Sequence, residues 1–316
     1  MRSWLLLFAC NLMWALQFTC VKLVQDQVGG LFTVWGPMTL ATLMLLPLIA
    51  RERRGSYQKG ERFKKDLVAF FLLALLGIFP GQAFITWGTR WSLASNAALL
   101  MLTLPISTAL LARIFLAERM TGIRWISFSL AIVGVLMCSG LQFGHLNFGK
   151  GYLLGNALIF LGTLGSAFYN SYSKKVLERY SPLEVLFYTY LGMFIIMTPL
   201  VLSQEGSVFS HISSLTAQTW VGLALLTFFH NFLSMVLFLK ALKQLDAIQA
   251  ALSNYLITFF GVPIAAIWLG ERLTPLAVIG GLIILGSTLL ITLWDRQVDR
   301  TQASAAESSA IQQPKD

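Results

Sequence analysis

Two pairs of sequence stretches decide the fold of this chain. ASNAAL at residues 94–99 is followed by LAERMT at 116–121, and AIQAAL at 247–252 is followed by LGERLT at 269–274. The offset is the same at both ends, since 247 minus 94 and 271 minus 118 each give 153 residues. Chance similarity between apolar helices would not place two Glu-Arg-x-Thr corners in one register. We therefore interpret the chain as an internal duplication.

The composition is that of a chain dissolved in lipid. Of the 316 residues, 56% are apolar and 12% are charged, whereas soluble domains carry about 25% charged residues. A helix needs about 20 apolar residues to cross a membrane, and the apolar runs lack the two-residue alternation of a membrane β-barrel. The sequence predicts one transmembrane helix in each of ten runs that contain no Asp, Glu, Lys or Arg: 3–21, 27–50, 67–89, 91–112, 125–149, 151–173, 185–204, 206–239, 247–270 and 273–294.

The duplication predicts how the chain enters the membrane. Each repeat takes five spans, and because five is odd the second repeat enters in the opposite orientation, a plan common among secondary transporters. The predicted fold class is an all-α membrane protein with ten transmembrane helices in two inverted five-helix repeats. The repeats are placed at 1–141 and 151–294, and a polar segment at 295–316 is expected to be a disordered cytoplasmic tail.

The net charge of +9 reports membrane topology. With the N-terminus inside, 19 of the 23 Lys and Arg residues fall on the inner side, and the four on the outer side are Lys22, Arg90, Lys150 and Arg272. Such a bias is the positive-inside pattern. It predicts that both termini are cytoplasmic, and it argues against a nucleic-acid partner. Short loops and a compact chain favour a bacterial inner membrane.

Several motifs resemble those of a known family. Trp14 and Lys22 have a related pattern in FYNSYSK at 168–174, and GERLTP occupies 270–275. Together with the two Glu-Arg corners, these residues resemble the drug/metabolite transporter superfamily, and within it the EamA-type family. The resemblance covers about residues 3–294. It implies a secondary transporter of a small organic metabolite, such as an amino acid, that works without a cofactor.

Polar and aromatic side chains inside the predicted helices are the candidates for a substrate path, because polar groups that face lipid are costly. Asn11, Trp14 and Phe18 share a face of helix 1 at i, i+3 and i+7 spacing, and the 153-residue offset matches Gln17 to Asn170. The full predicted lining is Asn11, Trp14, Gln17, Phe18, Trp35, Gln82, Trp87, Asn96, Tyr169, Asn170, Tyr188, His230, Asn231, Asn254 and Tyr255.

This lining, with few charges, suits a neutral or zwitterionic solute that has an apolar portion. Two other interpretations stay open for each residue: Trp and Tyr also form interfacial belts, and Asn also bonds between helices. His230 is expected near mid-membrane, where an imidazole either exchanges protons or stays neutral and bonded to a neighbouring helix. The corners Glu118–Arg119 and Glu271–Arg272 are predicted to hold short turns by ion pairing and carbonyl capping.

The expected function is export of an amino acid or related solute by alternating access, with a passive facilitator or a multidrug-type exporter as alternatives. An enzyme is not expected, because the spans hold no paired aspartates and the chain has neither a G-x-S-x-G nor an H-E-x-x-H motif. Cys10, Cys20 and Cys138 lack metal-ligand spacing, so no metal site is expected. The expected partners are a small-molecule substrate and the bilayer, for a monomer or homodimer.

Overall fold

The computed structural model describes residues 2–24, 26–53, 60–92, 96, 100–138, 150–269 and 275–311, and the regular structure in these ranges is entirely helical. Some helices contain wide π-helical turns or a break, and their parts are given separately. The helices are α1 (Arg2–Val24), α2 (Gly30–Arg53), α3 (Gly60–Leu72, Leu73–Ile78, Pro80–Phe84 and Ile85–Arg90), α4 (Leu104–Leu116), α5 (Gly122–Cys138), α6 (Leu153–Leu177), α7 (Pro182–Gln204), α8 (Ala217–Leu225, Leu226–Leu233 and Ser234–Leu242), α9 (Ala247–Ser253 and Leu256–Leu269) and α10 (Pro275–Ile311).

Within the described ranges, eight helices are long and apolar enough to cross a membrane. The qualifying stretches are Arg2–Val21, Gly30–Glu52, Asp66–Thr89, Leu153–Leu177, Pro182–Gln204, Ala217–Leu242, Ala247–Ile264 and Pro275–Trp294. Their outward surface is apolar: Leu5, Ile114, Ile195 and Ile267 are among many aliphatic side chains that are more than half exposed. A continuous apolar exterior of this kind is stable only against lipid. The chain is therefore a multi-pass membrane protein.

In the part of the chain that the structure describes, the helices of two of the ten expected spans are shorter than the bilayer. Helix α4 has 13 residues and α5 has 17, and at about 1.5 Å per residue the first reaches only about 20 Å of the roughly 30 Å hydrocarbon core. Helix α4 begins directly after a turn at residues 102–103. Residues 93–95 and 97–99, which complete its predicted span, lie outside the described ranges.

The contacts between helices of the first half and helices of the second half correspond to one another. Helix α1 packs against α8 and α9, and α6 packs against α3 and α4. In the same way α2 packs against α7 and α8, and α7 against α3. When every helix is replaced by the helix five places away, α1–α8 becomes α6–α3, α1–α9 becomes α6–α4 and α2–α8 becomes α7–α3, whereas α2–α7 maps onto itself. Helix pairs α4–α9 and α5–α10 are also in contact and map onto themselves.

Two irregular features of the helices recur at or near the 153-residue offset. The π-helical segments Leu73–Ile78 of α3 and Leu226–Leu233 of α8 begin 153 residues apart. The turn at 102–103 before α4 and the turn at 254–255 inside α9 are 152 residues apart, one residue short of that offset. At this crossing Tyr255 donates its hydroxyl to the carbonyl of Leu102 at 3.2 Å. Wide turns inside helices free backbone carbonyls and occur frequently at functional sites.

Helices α5 and α10 cross closely at two glycines. A Cβ on Gly280 would lie 2.5 Å from the carbonyl oxygen of Gly134, and a Cβ on Gly134 would lie 2.7 Å from the carbonyl oxygen of Gly280. Two turns away, Ser127 donates its hydroxyl to the carbonyl of Ser287 at 2.6 Å. Small residues allow such close backbone approach, which is a main source of helix association in lipid.

At each end of the contact between α2 and α7, a carboxylate from one helix lies at the N-terminus of the other. Glu205, at the end of α7, accepts from the backbone N–H groups of Leu31 at 3.1 Å and Phe32 at 2.7 Å. Glu52, near the end of α2, accepts at 2.8 Å from the hydroxyl of Ser181, the N-cap of α7. Each acid therefore lies at the N-terminus of the other helix, where exposed N–H groups and the helix dipole favour negative charge.

The last helix differs from the expectation for the C-terminus. Helix α10 continues without interruption from Pro275 to Ile311, so residues 295–311 are helical where a disordered tail was expected. Nine of its 17 residues are Ala, Gln, Arg or Glu, which have high helix propensity. A polar composition alone does not separate a disordered tail from a solvated extension of a helix.

Candidate substrate pathway

Asn11 connects α1 to the broken helix α9. It has no exposed surface, and its amide nitrogen donates to the carbonyl of Leu7 at 2.8 Å and to Ser253 Oγ at 3.0 Å. Its amide oxygen is buried and has no hydrogen-bond donor. The same holds for the side-chain oxygen of Asn254, in the turn that divides α9. Two amide oxygens with unused acceptor capacity therefore lie at or beside this break.

A second polar group lies where α3, α6, α7 and α8 meet. Tyr169 of α6 is buried, and its hydroxyl has no partner. A Cβ on Gly77, in the π-helical part of α3, would lie 3.1 Å from Tyr169 Cβ, so the two backbones approach closely. Tyr190 of α7 donates its hydroxyl to the backbone carbonyl of Asn231 in α8 at 2.8 Å.

The π-helical segment of α8 carries His230 and Asn231. Asn231 donates its side-chain nitrogen to the carbonyl of Leu226 at 2.9 Å, and Ser234 donates its hydroxyl to the carbonyl of His230. Side chains thus satisfy carbonyls of the wide turns, as membrane-embedded backbone requires. The His230 ring nitrogen Nδ1 is buried and has no hydrogen-bond partner. The expectation of a neutral histidine bonded to a neighbouring helix is therefore not met through Nδ1, the one ring nitrogen that this observation concerns.

Asn96 joins the start of the α4 region to α6. It has no exposed surface, and its side-chain nitrogen donates to Asn156 Oδ1 at 3.2 Å. Ser92 donates to the same oxygen at 2.5 Å. The side chain of Asn96 therefore has a packing partner on another helix, which is the interhelical use of a polar residue.

The predicted aromatic residues fall into separate clusters. Trp14 packs on Phe238 of α8 with ring centroids 5.1 Å apart. Trp35 stacks on Phe194 and donates its indole N–H to Thr198 Oγ1 at 2.9 Å, which places it in the α2–α7 contact. The remaining clusters are Trp87 with Phe79 and Phe84 within α3, and Tyr188 with Phe70 and Phe187.

Three other predicted residues have positions but few described contacts. Gln17 of α1 and Gln82 of α3 are half-buried, and Asn170 of α6 is buried. The side chain of Phe18 lies outside the described part of the chain, as do the corner residues Glu271 and Arg272.

Glu118 binds a helix of the other half rather than its own turn. Its carboxylate oxygens accept from the backbone N–H groups of Ala247 at 2.9 Å and Ile248 at 3.1 Å, the first residues of α9. Burial raises the pKa of Glu118, against the effect of these two hydrogen bonds. Sequence reasoning assigned this corner to its own short turn, whereas the carboxylate contacts the first turn of α9. Arg119 itself is exposed, and its backbone carbonyl accepts from Arg124 at 3.1 Å.

Three charged residues complete the cluster around Glu118. Lys174 Nζ lies 3.6 Å from Glu118 and 3.9 Å from Asp246, and it donates to the carbonyl of Leu245. Arg124 pairs with Asp246 at 2.5 Å. This charged cluster (Glu118, Arg124, Lys174 and Asp246) ties α4, α5, α6 and α9 together at one end of the bundle.

Sequence reasoning included Glu118 but missed Ser253 and the three residues that join Glu118 in the charged cluster, Arg124, Lys174 and Asp246. Tyr190 is visible in the sequence as a tyrosine inside an apolar run, two residues after Tyr188. No sequence pattern indicates that the four charges meet, since they come from four separate segments. In the part of the chain that the structure describes, His, Cys, Asp and Glu form no group that could hold a metal ion.

The fold and the polar interior define a class, a polytopic helical membrane protein with polar groups between its helices. A model of the EamA-like transporter family matches residues 1–140 and again residues 153–293. These two matches cover nearly the whole chain, so the protein belongs to the EamA-like transporter family. Members of this family are transporters rather than enzymes.

Individual relatives agree with this assignment. A probable terminal-alkyne amino-acid exporter of Streptantibioticus cattleyicolor is 27% identical over 285 residues, covering 88% of this chain and 89% of the relative. An uncharacterized transporter of Archaeoglobus fulgidus is 24% identical and covers 92% of this chain and 99% of its own. A solved protein crystal structure with 14% identity superposes with a TM-score of 0.71, over 94% of this chain and 98% of that one.

Proposed function

We propose that this protein is a secondary transporter that exports an amino acid or a related neutral or zwitterionic solute across a bacterial inner membrane. The observation that carries the proposal is that four buried polar atoms, one each on α1, α6, α8 and α9, have no partner: Asn11 Oδ1, Tyr169 Oη, His230 Nδ1 and Asn254 Oδ1. Unsatisfied polar atoms inside a membrane protein are costly unless they serve a solute or a water-filled path. The name of the Streptantibioticus relative, a probable amino-acid exporter, supports the same solute class.

The proposed mechanism is alternating access between two inverted five-helix repeats, residues 1–141 and 151–294. It is supported by the two separate matches to the family model and by the common offset of the π-helical segments of α3 and α8. The exchange of helix contacts also supports it. Breaks at corresponding positions of two halves are a typical sign of a transporter binding region. The charge bias favours a cytoplasmic position for both termini.

Transport is tested with the purified protein in liposomes by counterflow of labelled amino acids, amines, nucleosides and sugars. The panel is run with and without a pH gradient, for the wild type, for His230→Ala and for the exposed control His211→Ala. We expect saturable flux of one solute class, with amino acids as the preferred class. If folded wild-type protein gives no saturable flux for any class, the proposal is wrong.

A passive facilitator is the second candidate, and one observation favours it. The ten charge-free runs contain no acidic residue that could act with His230 as a proton relay. The two candidates differ in the liposome experiment. Flux that is stimulated by the pH gradient and lost in His230→Ala identifies a proton-coupled carrier. Saturable flux that changes neither with the gradient nor in His230→Ala identifies a facilitator.

A further inference from the structure

The environment of Asn11 settles which way its amide group points. Its neighbour in the preceding turn, the carbonyl of Leu7, can only accept a hydrogen bond, so the amide nitrogen must face it at 2.8 Å. The same nitrogen reaches Ser253 Oγ, whose own proton goes to the carbonyl of Ala250 at 2.7 Å. The donors of Asn11 are therefore used, and its oxygen is left as a buried acceptor with no donor.

Asn254 presents the same chemistry at the break in α9. It follows Ser253 directly and lies in the turn between Ala247–Ser253 and Leu256–Leu269. Its side-chain oxygen is buried and has no donor. Residues 3–21 and 247–270, which contain these two asparagines, include no Asp, Glu, Lys or Arg. The missing donors therefore do not come from a charged side chain within these two runs.

We propose that Asn11 and Asn254 form a subsite for the protonated amino group of the transported solute, between α1 and the break in α9. The inference rests on the proposed transport function and names the part of the solute that these residues bind. An ammonium group has three N–H donors and no acceptor, so it carries enough donors for both oxygens. A hydroxyl group supplies a single donor and can satisfy only one of them.

Trp14 contributes to the same face of α1. It follows Asn11 by three residues, so the two side chains lie on one side of the helix. Its ring is half-buried and packs on Phe238. An aromatic face beside a bound cation adds a favourable electrostatic interaction. The subsite thus consists of two neutral oxygens and an aromatic neighbour, which bind an amine without a buried counter-ion.

The subsite is tested by binding, without any requirement for flux. The full-length protein in detergent is heated with increasing concentrations of 2-phenylethylamine or 2-phenylethanol, which differ in bearing an amino or a hydroxyl group. We expect the amine to raise the unfolding midpoint saturably, and the alcohol to need a concentration about tenfold higher or more. Asn11→Leu and Asn254→Leu should each raise the half-maximal amine concentration by about tenfold. Thr39→Val, which removes a buried, unpartnered hydroxyl on α2, should leave it unchanged.

Several results would overturn the proposal: no shift with the amine in the wild type, equal responses to amine and alcohol, or an unchanged amine response in the asparagine variants. Asn254→Ala carries the test if Asn11→Leu does not fold, because Asn254 forms none of the bonds of Asn11. An inorganic cation would satisfy the same oxygens, so sodium, potassium and choline chlorides are compared. Saturable stabilisation by sodium or potassium that abolishes the amine response would assign the site to an inorganic cation.

Counterflow separates this inference from the transport function. Saturable flux of solutes that lack an amino group, with no advantage for amine-bearing analogues, overturns the subsite and leaves transport intact. Absence of all flux from a protein that still binds the amine through Asn11 and Asn254 supports the subsite and overturns the transport proposal.

Discussion

Glu118 shows how one carboxylate joins distant parts of the chain. Its side chain is 8% exposed and accepts hydrogen bonds from two N–H groups at the start of α9. Those groups have no partners within their own helix, so the carboxylate supplies what the first turn of α9 lacks. Lys174 lies close enough to offset part of the cost of burying the charge.

The pH dependence of stability should reveal this buried acid. Burial raises the pKa of Glu118 above the ordinary carboxyl value of 4.5, so the folded protein binds this proton more tightly than the unfolded chain does. Stability from this group is therefore lost as pH rises from the ordinary value through the raised pKa. We expect the unfolding midpoint of the wild type to fall relative to that of Glu118→Gln between pH 4.5 and 8.

The control for this measurement is Glu178→Gln, since Glu178 is exposed and should show no such trend. Glu118→Ala removes both acceptors and should lower stability by about 1–2 kcal/mol, the range found for lost helix caps. A wild type that gains stability relative to Glu118→Gln as pH rises would contradict the burial of this carboxyl group.

Gly29 is predicted to be required because the carboxylate of Glu205 occupies the space that a side chain at this position would need. A Cβ there would lie 2.1 Å from Glu205 Cδ, so Gly29→Ala must push this carboxylate away from Leu31 and Phe32. We expect Gly29→Ala and Glu205→Gln each to cost about 1–2 kcal/mol in thermal unfolding experiments. The double variant should cost little more than either single one, because both remove the same cap. Additive costs, or an equal loss in Gly122→Ala, where a Cβ meets nothing within 4 Å, would argue against this explanation.

At the scale of elements, the α5–α10 contact offers a matched pair of glycines on one helix. Gly280→Ala would place a Cβ 2.5 Å from a backbone oxygen of α5, whereas Gly286→Ala meets nothing within 4 Å. Overpacking of a close contact costs about 1–3 kcal/mol, so Gly280→Ala should lower the unfolding midpoint. Gly286→Ala should leave it unchanged or raise it slightly, because Ala has the higher helix propensity. Equal effects of the two substitutions would contradict the close crossing.

Elements were predictable where their signal is local, and not where it depends on neighbours. The apolar runs mark the helices because burial in lipid needs about 20 apolar residues. The π-helical segment Leu226–Leu233 has no such signal. Its freed carbonyls are satisfied by Asn231, Tyr190 and Ser234, and one of these three partners lies on another helix. The helical extension at 295–311 also lacks a distinguishing signal, because a polar composition fits both a disordered tail and a solvated helix.

At the scale of the whole molecule, the charge bias predicts the orientation of the chain in the membrane. We expect residue 119 in the cytoplasm and residue 211 outside. Both side chains are exposed, and the native Cys10, Cys20 and Cys138 are buried, so the background of labelling should be low. A membrane-impermeant maleimide added to intact cells should label His211→Cys and not Arg119→Cys, and both should react after permeabilisation. The reverse pattern would invert the topology.

The candidate pathway, like the fold, could be predicted from the sequence only in part. The sequence could identify Asn11, Asn254 and His230 as candidates, because a polar side chain inside an apolar run is visible without a structure. It could not show that the oxygens of the two asparagines lack donors, or that Asn96 and Trp35 are bonded to residues 60 or more positions away. The latter pairs come together only when helices that are remote in the chain pack side by side.

By itself the sequence determined that this chain is helical, lies in a membrane and is internally duplicated. Those properties follow from hydrophobicity, run length and register, which are written in consecutive residues. Only the tertiary structure decided which groups meet: Glu118 with the first turn of α9, Glu205 with the first turn of α2, and Asn11 with Ser253. The physical reason is that a hydrogen bond or ion pair depends on distances of about 3 Å between atoms. Such distances between remote segments are fixed by helix packing rather than by the order of residues.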